Sequence, residues 1–146
     1  MNQTAKQFGW STAISRTKPS APMQKVIEQL GDISTKRILD YGCGRGFDAD
    51  HYNFLKYDPN PRWGCTEMPE GKFDVIVCNY VLNVVPQKHH EEILQDIKSR
   101  LNENGVAYIS VRADLARDTP TQWDVELDLP LVVKVSGRYR IYKMEA

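Results

Sequence analysis

The chain has 146 residues, 41% hydrophobic and 26% charged, a length and balance that suit one globular domain and exclude a wholly disordered chain. Lys plus Arg and Asp plus Glu number 19 each, so the formal net charge is zero and no global field draws in polyanions. Cys43, Cys65 and Cys78 are odd in number and widely spaced, which excludes a legible disulfide framework or CxxC metal site and fits reduced thiols in a cytoplasm. No apolar run reaches the roughly 18 residues of a membrane span, and no signal-peptide core is present.

Residues 1–20 are polar without helical or strand period and read as an ordered arm or a flexible leader. From Met1 to Ile27 there is no acid, while Lys6, Arg16, Lys18 and Lys25 are basic, so the arm is either a nucleic-acid contact or a solvated tail. A helix is predicted from Ser20, with Pro22 in its first turn, Val26, Ile27 and Leu30 on one stripe and Gly31 at its end, lying beside the first strand. Residues 37–41, "RILDY", form that strand and break into the glycine-rich "GCGRG". Phe47 to Asn53 leaves room for two helical turns at most, and "FLKYD" reads as a second strand ending at Asp58.

Residues 59–72 hold Pro59, Pro61, Pro69, Gly64 and Gly71, a composition against a full helix and strand. Phe73 to Cys78 is apolar with little alternation, as in a central strand covered on both faces. Ile93, Leu94, Ile97 and Leu101 recur at helical spacing between Pro86 and "NENG", predicting about four turns that stop there, followed by the strand "VAYISV". "LVVKV" and "RYRIY" flank a two-residue "SG" turn as a hairpin. The fold class is therefore α/β, one mostly parallel sheet with a C-terminal antiparallel hairpin, in a single domain over 1–146 with a core at 21–146.

In such a sheet ligands bind at the carboxyl ends of the strands. Gly42, Gly44 and Gly46 lie there and would let backbone approach a ligand closely, or simply make a tight turn. Asp58, at the end of strand two, is placed to accept both hydroxyls of a ribose, although "DPN" is also good turn chemistry. Phe47 follows Gly46, so the third glycine comes one residue early for a dinucleotide fingerprint, and no Gly-Lys-Ser/Thr of a P-loop occurs; a phosphate-free nucleoside cofactor remains. His89–Glu92, "HHEE", lacks the second His of a HExxH pair, since Leu94 stands there, and reads as a first helical turn with acids at its positive end; no metal site is expected. Cys43 and Cys78 read as small buried hydrophobes with no base to activate them.

"RILDYGCGRGFD", "YDPN" and "FDVIVCNYVLNVV" in that order resemble the motif series of class I S-adenosylmethionine-dependent methyltransferases, over about residues 37–111. The resemblance implies a reduced Rossmann-like sheet, S-adenosylmethionine as cofactor and S-adenosylhomocysteine as product. It places Asp40, Tyr41, Gly42, Gly44 and Gly46 at the methionine part of the cofactor, Asp58 at the ribose, and Asn79 and Tyr80 between cofactor and acceptor. "TAISRTKPSAPM" with the glycine turn is also similar to methyltransferase-like proteins associated with DNA phosphorothioation systems. The clipped first helix and the missing third strand depart from the family at the adenine pocket, to which Glu67 or Met68 could contribute. No Asn-Pro-Pro-Tyr motif of amino-methyltransferases is present, since Asn79 and Tyr80 are adjacent.

Methyl transfer from a sulfonium mainly requires alignment, so a missing catalytic dyad is no objection. If the acceptor must lose a proton, Tyr80 or a residue of the arm is a candidate base, and Arg16 and Lys18 are candidate acceptor contacts. A small methyltransferase with an unidentified acceptor is the leading reading. One rival is a non-catalytic cofactor-binding module, because only about 20 residues separate Val111 from the hairpin. Another is a nucleic-acid partner using the arm with Lys134, Arg138, Arg140 and Lys143.

Overall fold

The computed structural model describes residues 16–114, 122 and 124–146; most of the arm, 1–15 with Lys6, lies outside the described residues. Helix α1 (Ala21–Leu30) begins where its local chemistry dictates. Ser20 Oγ accepts the Met23 N–H at 3.4 Å, Pro22 occupies the first turn where its missing N–H costs nothing, and Gly31 at φ 70° ends the helix.

Strands β1 (Ile38–Tyr41), β2 (Leu55–Tyr57), β3 (Phe73–Asn79), β4 (Leu101–Arg112), β5 (Leu131–Val135) and β6 (Tyr139–Glu145) form one sheet in the order β2-β1-β3-β4-β6-β5. β2, β1, β3 and β4 are parallel, whereas β6 runs antiparallel to β4 and β5 antiparallel to β6. Helices α2 (Phe47–Tyr52) and α3 (His90–Ser99) complete the regular structure, and between β2 and β3 there is only a 3-10 turn at Pro61–Trp63, as the prolines require.

Alternation along β3 sorts the two halves of the core. Val75 and Val77 join Met23 and Val26 of α1, together with Ile38, Tyr108 and Ile141, while Ile76 and Cys78 join Ile93 and Ile97 of α3. With both faces covered, β3 needs no polar side, which explains its unbroken apolar run. The main sheet contact of α1 is with β3, the neighbour of β1.

Three local expectations are corrected. Helix α3 has ten residues, short of four turns, because the turn before it, Gln87–His89, is 3-10. "NENG" does not merely stop the helix: it lies inside β4 as an excursion. Phe73 pairs with Leu101 and Val75 with Val106, so the residues between leave the ladder, with Asn104 at φ 66° and Gly105 so close to the Asn102 and Phe73 backbone that a side chain would not fit. The hairpin turn spans Ser136 to Arg138, three residues, with Gly137 at φ 71° and the Arg138 N–H on the Val135 carbonyl at 2.9 Å.

The chain leaves β1 to build β2 on one side and returns to build β3 on the other. That reversal of strand order opens a crevice at the carboxyl ends of β1 and β3.

Candidate functional site

Successive β1 side chains face opposite ways, and this separates two residues that sequence reasoning grouped together. Asp40, 3% exposed, lines a cavity of about 580 Å³ in the crevice. Tyr41 belongs to the core cluster on the α3 face, donates its hydroxyl to Asp96 Oδ2 at 2.6 Å, and does not line the cavity.

The glycine turn is held by the end of β2. The Gly42 and Cys43 N–H groups donate to the Tyr57 carbonyl at 2.7 and 3.1 Å, and the Gly44 N–H donates to Asp58 Oδ2 at 2.8 Å. Gly42, Gly44 and Gly46 have φ of 79°, 56° and 82°, the region that favours glycine, and a side chain on Gly42 would also collide with Val81 Cγ2. Asp58 Oδ1 accepts the Asn60 N–H at 2.9 Å, an Asx turn, so Asp58 is both a turn residue and a cavity residue. Gly42 and Gly44 line the cavity; Gly46 lies outside it, against Lys56 and Asp50.

Burial pushes the Asp40 carboxyl well above the ordinary carboxylate value, with the nearby charges of Asp48 and Asp58 adding to the rise. Burial also raises Asp58, against the pull of its two backbone N–H bonds. Asp48 reaches the same cavity and is fixed by Ser20, whose N–H and Oγ donate to its two oxygens at 2.8 and 2.6 Å. Among the described residues no cation pairs with Asp40, Asp48 or Asp58.

At the end of β3, Asn79 Oδ1 accepts the Ser110 hydroxyl at 2.8 Å, while its buried Nδ2 finds no partner among the described residues. Tyr80 follows at φ 62°, an uncommon conformation for a bulky residue and one that stores strain at the cavity wall. Burial raises its phenol to about 12, which favours the neutral form. Val81, Val84 and Val85 give the cavity an apolar side.

The cavity is also lined by Arg16, Arg45, Arg112, Asp114, Gln122, Arg138 and Tyr139. Arg112 grips Asp114 with two bonds of 2.8 Å and also donates to Gln122. Arg16 and Arg138 form no ion pair among the described residues. Lys18 is exposed and off the cavity, as is Glu67, and Met68 packs against the core. Sequence reasoning missed the contributions of Ser20, Asp48, Arg112, Asp114, Arg138 and Tyr139. Asp48 was signalled by its place just after the glycine turn; the β4 and β6 residues were not, because only the sheet order brings the hairpin to this end.

The four hairpin cations do not form one basic stripe. Arg140 pairs with Asp124 at 3.5 Å and donates to the Val125 carbonyl at 2.5 Å, Lys143 pairs with Glu145 at 3.6 Å, and strand alternation puts Arg140 and Lys143 on opposite faces. In "HHEE", the His90 ring bonds the Val85 carbonyl at 2.6 Å and Glu91 accepts from Gln95 at 3.0 Å. Among the described residues no group of three His, Cys, Asp or Glu could hold a metal ion, and no helix is long and apolar enough to cross a membrane.

The profile of the family described as "Methyltransferase domain" matches residues 16–130. No curated protein matches the sequence. Three solved structures share the fold. Magnesium protoporphyrin IX methyltransferase (ChlM) from Synechocystis PCC 6803, with bound SAH, is 13% identical with a TM-score of 0.60 over 84% of this chain and 80% of that one. The 1,6-didemethyltoxoflavin-N1-methyltransferase of Burkholderia thailandensis, with bound 1,6-didemethyltoxoflavin and S-adenosylhomocysteine, is 19% identical with a TM-score of 0.60 over 85% and 76%. TehB from Haemophilus influenzae is 14% identical with a TM-score of 0.61 over 88% and 62%. Matched by that profile over most of its length, and sharing its fold with these structures, the chain belongs to the methyltransferase domain family.

Proposed function

We propose that this S-adenosylmethionine-dependent methyltransferase holds its cofactor across the carboxyl ends of β1, β2 and β3, with Asp40, Gly42, Gly44, Asp58, Asn79 and Tyr80 around it. The observation that carries this reading is a pair of buried carboxylates, Asp40 and Asp58, that face the cavity and, among the described residues, form an ion pair with none of the arginines lining it to offset their desolvation. A ligand bearing an ammonium and a sulfonium supplies that offset. Asn79 Nδ2, unpartnered among the described residues, offers a buried donor to the polar part of such a ligand, and the left-handed backbone at Gly42 and Gly44 leaves room for close approach.

When bound, S-adenosylmethionine supplies a methyl group on a positively charged sulfur, and its departure leaves neutral S-adenosylhomocysteine. The chain's own residues then have three tasks. Asp40 and Asp48 favour the cationic cofactor, Asp58 orients the ribose while pinning Gly44, and the valine wall excludes water. Tyr80, protonated at neutral pH, donates a hydrogen bond to cofactor or acceptor.

The acceptor in this reading is a small molecule with an anionic group, set against Arg16 and Arg138 while its nucleophile faces Tyr80. Of the two arm cations named from sequence, only Arg16 is at the cavity, so it alone is retained as an acceptor contact. The narrower likeness to proteins of DNA phosphorothioation systems proposes a setting for this enzyme without identifying an acceptor.

Calorimetric titration with S-adenosylmethionine, then tritium-labelled methyl transfer onto paired phenols, thiols and amines with and without a carboxylate, tests the reading. One-site binding and transfer to the carboxylate-bearing members are expected. Absence of cofactor binding would overturn it, and binding without transfer to any acceptor would favour the non-catalytic module.

A further inference from the structure

The three cysteines of the chain do not share one environment. Cys78 is wholly buried inside β3, but Cys43 and Cys65 are half-buried and their Sγ atoms stand 3.3 Å apart. The approach is built by the backbone. Cys43 hangs its N–H on the Tyr57 carbonyl, and the Cys65 carbonyl accepts the N–H of the next residue, Asp58, at 3.0 Å, so both thiols are anchored to the end of β2 from opposite sides. Cys43 lines the cavity within the glycine turn, whereas Cys65 belongs to the proline-rich segment and does not line it.

We propose that Cys43 and Cys65 are an oxidisable thiol pair whose disulfide switches cofactor binding off. This rests on the proposed cofactor site for its consequence, but not for its chemistry. The oxidant is a peroxide. The contact with the Cys43 thiol holds the Cys65 thiol below its ordinary value, with Lys56 acting in the same direction, so Cys65 is the attacking sulfur. Its thiolate forms an S–O bond as the peroxide O–O bond breaks, and the departing hydroxide takes up a proton to become water. The Cys43 sulfur then attacks the sulfenic sulfur: the S–S bond forms, the S–O bond breaks, and the Cys43 proton leaves with the oxygen as a second water. The pair loses two electrons and the peroxide gains them.

A disulfide requires the sulfurs to close from 3.3 Å to about 2.05 Å. The segment around Cys65 is tied to Asp58, and Asp58 holds the Gly44 N–H, so closing the bond drags the turn that shapes the cavity. The disulfide form is expected to bind S-adenosylhomocysteine at least about tenfold more weakly, and by linkage the bound ligand resists oxidation, raising the pair's potential by about 30 mV per tenfold.

The test treats the full chain with hydrogen peroxide, then measures its intact mass, free thiol titre, the identity of any cross-linked peptide, and S-adenosylhomocysteine affinity before and after reduction. Support is a Cys43–Cys65 cross-link with Cys78 still free, weakened affinity, and recovery with dithiothreitol. Cys65→Ser should bind like the untreated chain and ignore the oxidant. Three free thiols after peroxide in a chain that binds S-adenosylhomocysteine would overturn the pair itself, and a cross-link with unchanged affinity would overturn the switch. Failure of the reduced chain to bind S-adenosylhomocysteine would instead overturn the cofactor reading, taking the switch with it.

Discussion

Each carboxylate oxygen of Asp58 accepts one backbone N–H, from Gly44 at 2.8 Å and from Asn60 at 2.9 Å, and a carboxylate keeps further lone pairs for a ligand. Hydrogen bonds to a charged group contribute about 1.5–3 kcal/mol. Asp58→Ala should therefore weaken S-adenosylhomocysteine binding by about 10- to 100-fold and also lower Tm, at about 2–4 °C per kcal/mol. Asp58→Asn keeps one acceptor but turns an amide donor toward the other N–H, so it should fall between in both respects. A pure turn role would lower Tm in both variants and leave affinity unchanged. Asp40 gives a pH signature. Its folded value lies above its ordinary 3.8, so between the two the native state binds more protons than the unfolded state, and stability falls as pH rises through that window. Asp58 acts in the same direction, whereas Asp74 and Asp114 are held below 3.8 by their hydrogen bonds and contribute stability that is lost only as pH falls through their lowered values. Asp40→Asn should thus flatten the fall of Tm with rising pH, with Asp58 leaving a remainder. It should also abolish the rise in S-adenosylmethionine affinity over the same window, because the cation prefers the ionised form. Tm and affinity measured across pH check both.

At the scale of elements, the glycine turn and the start of α1 act as one unit, because Ser20 caps α1 and also holds Asp48 at the start of α2. Ser20→Ala removes a cap contributing about 1 kcal/mol together with the bond to Asp48, so a Tm fall of several degrees is expected by thermal denaturation. Gly42→Ala combines a left-handed residue, about 1–2 kcal/mol, with collision against Val81, and should reduce both Tm and cofactor affinity. The limits of α1 were readable in the sequence because Ser20, Pro22 and Gly31 act on their own helix ends. The excursion at "NENG" was not, because the pairing of Phe73 with Leu101 and Val75 with Val106 is decided by how β3 and β4 meet, far apart in sequence. The opposite destinations of Asp40 and Tyr41 follow from strand alternation, but which face becomes the cavity depends on where α1 and α3 settle. Likewise Cys43 and Cys65, 22 positions apart, become neighbours only through the end of β2.

For the whole molecule, β2 at one edge and the antiparallel β6 and β5 at the other follow from the two segments that composition marked most plainly, the proline-rich stretch and the terminal hairpin. The first left the sheet without a strand beyond β2; the second carried Arg138 and Tyr139 back to the cavity. The resulting chamber is lined by Asp40, Asp48, Asp58 and Arg45 around the glycine turn and by Arg16, Arg112 and Arg138 from other segments, a mixed-charge lining that suits the cationic cofactor and anionic acceptor proposed above. Calorimetric titration of S-adenosylhomocysteine into the full reduced chain and into Asp58→Ala tests this most directly. One site per chain is expected, with affinity at least about tenfold weaker in a variant whose circular dichroism still shows the native fold. A folded wild-type chain that gives no binding, or an Asp58→Ala variant that binds as tightly as wild type, would contradict it.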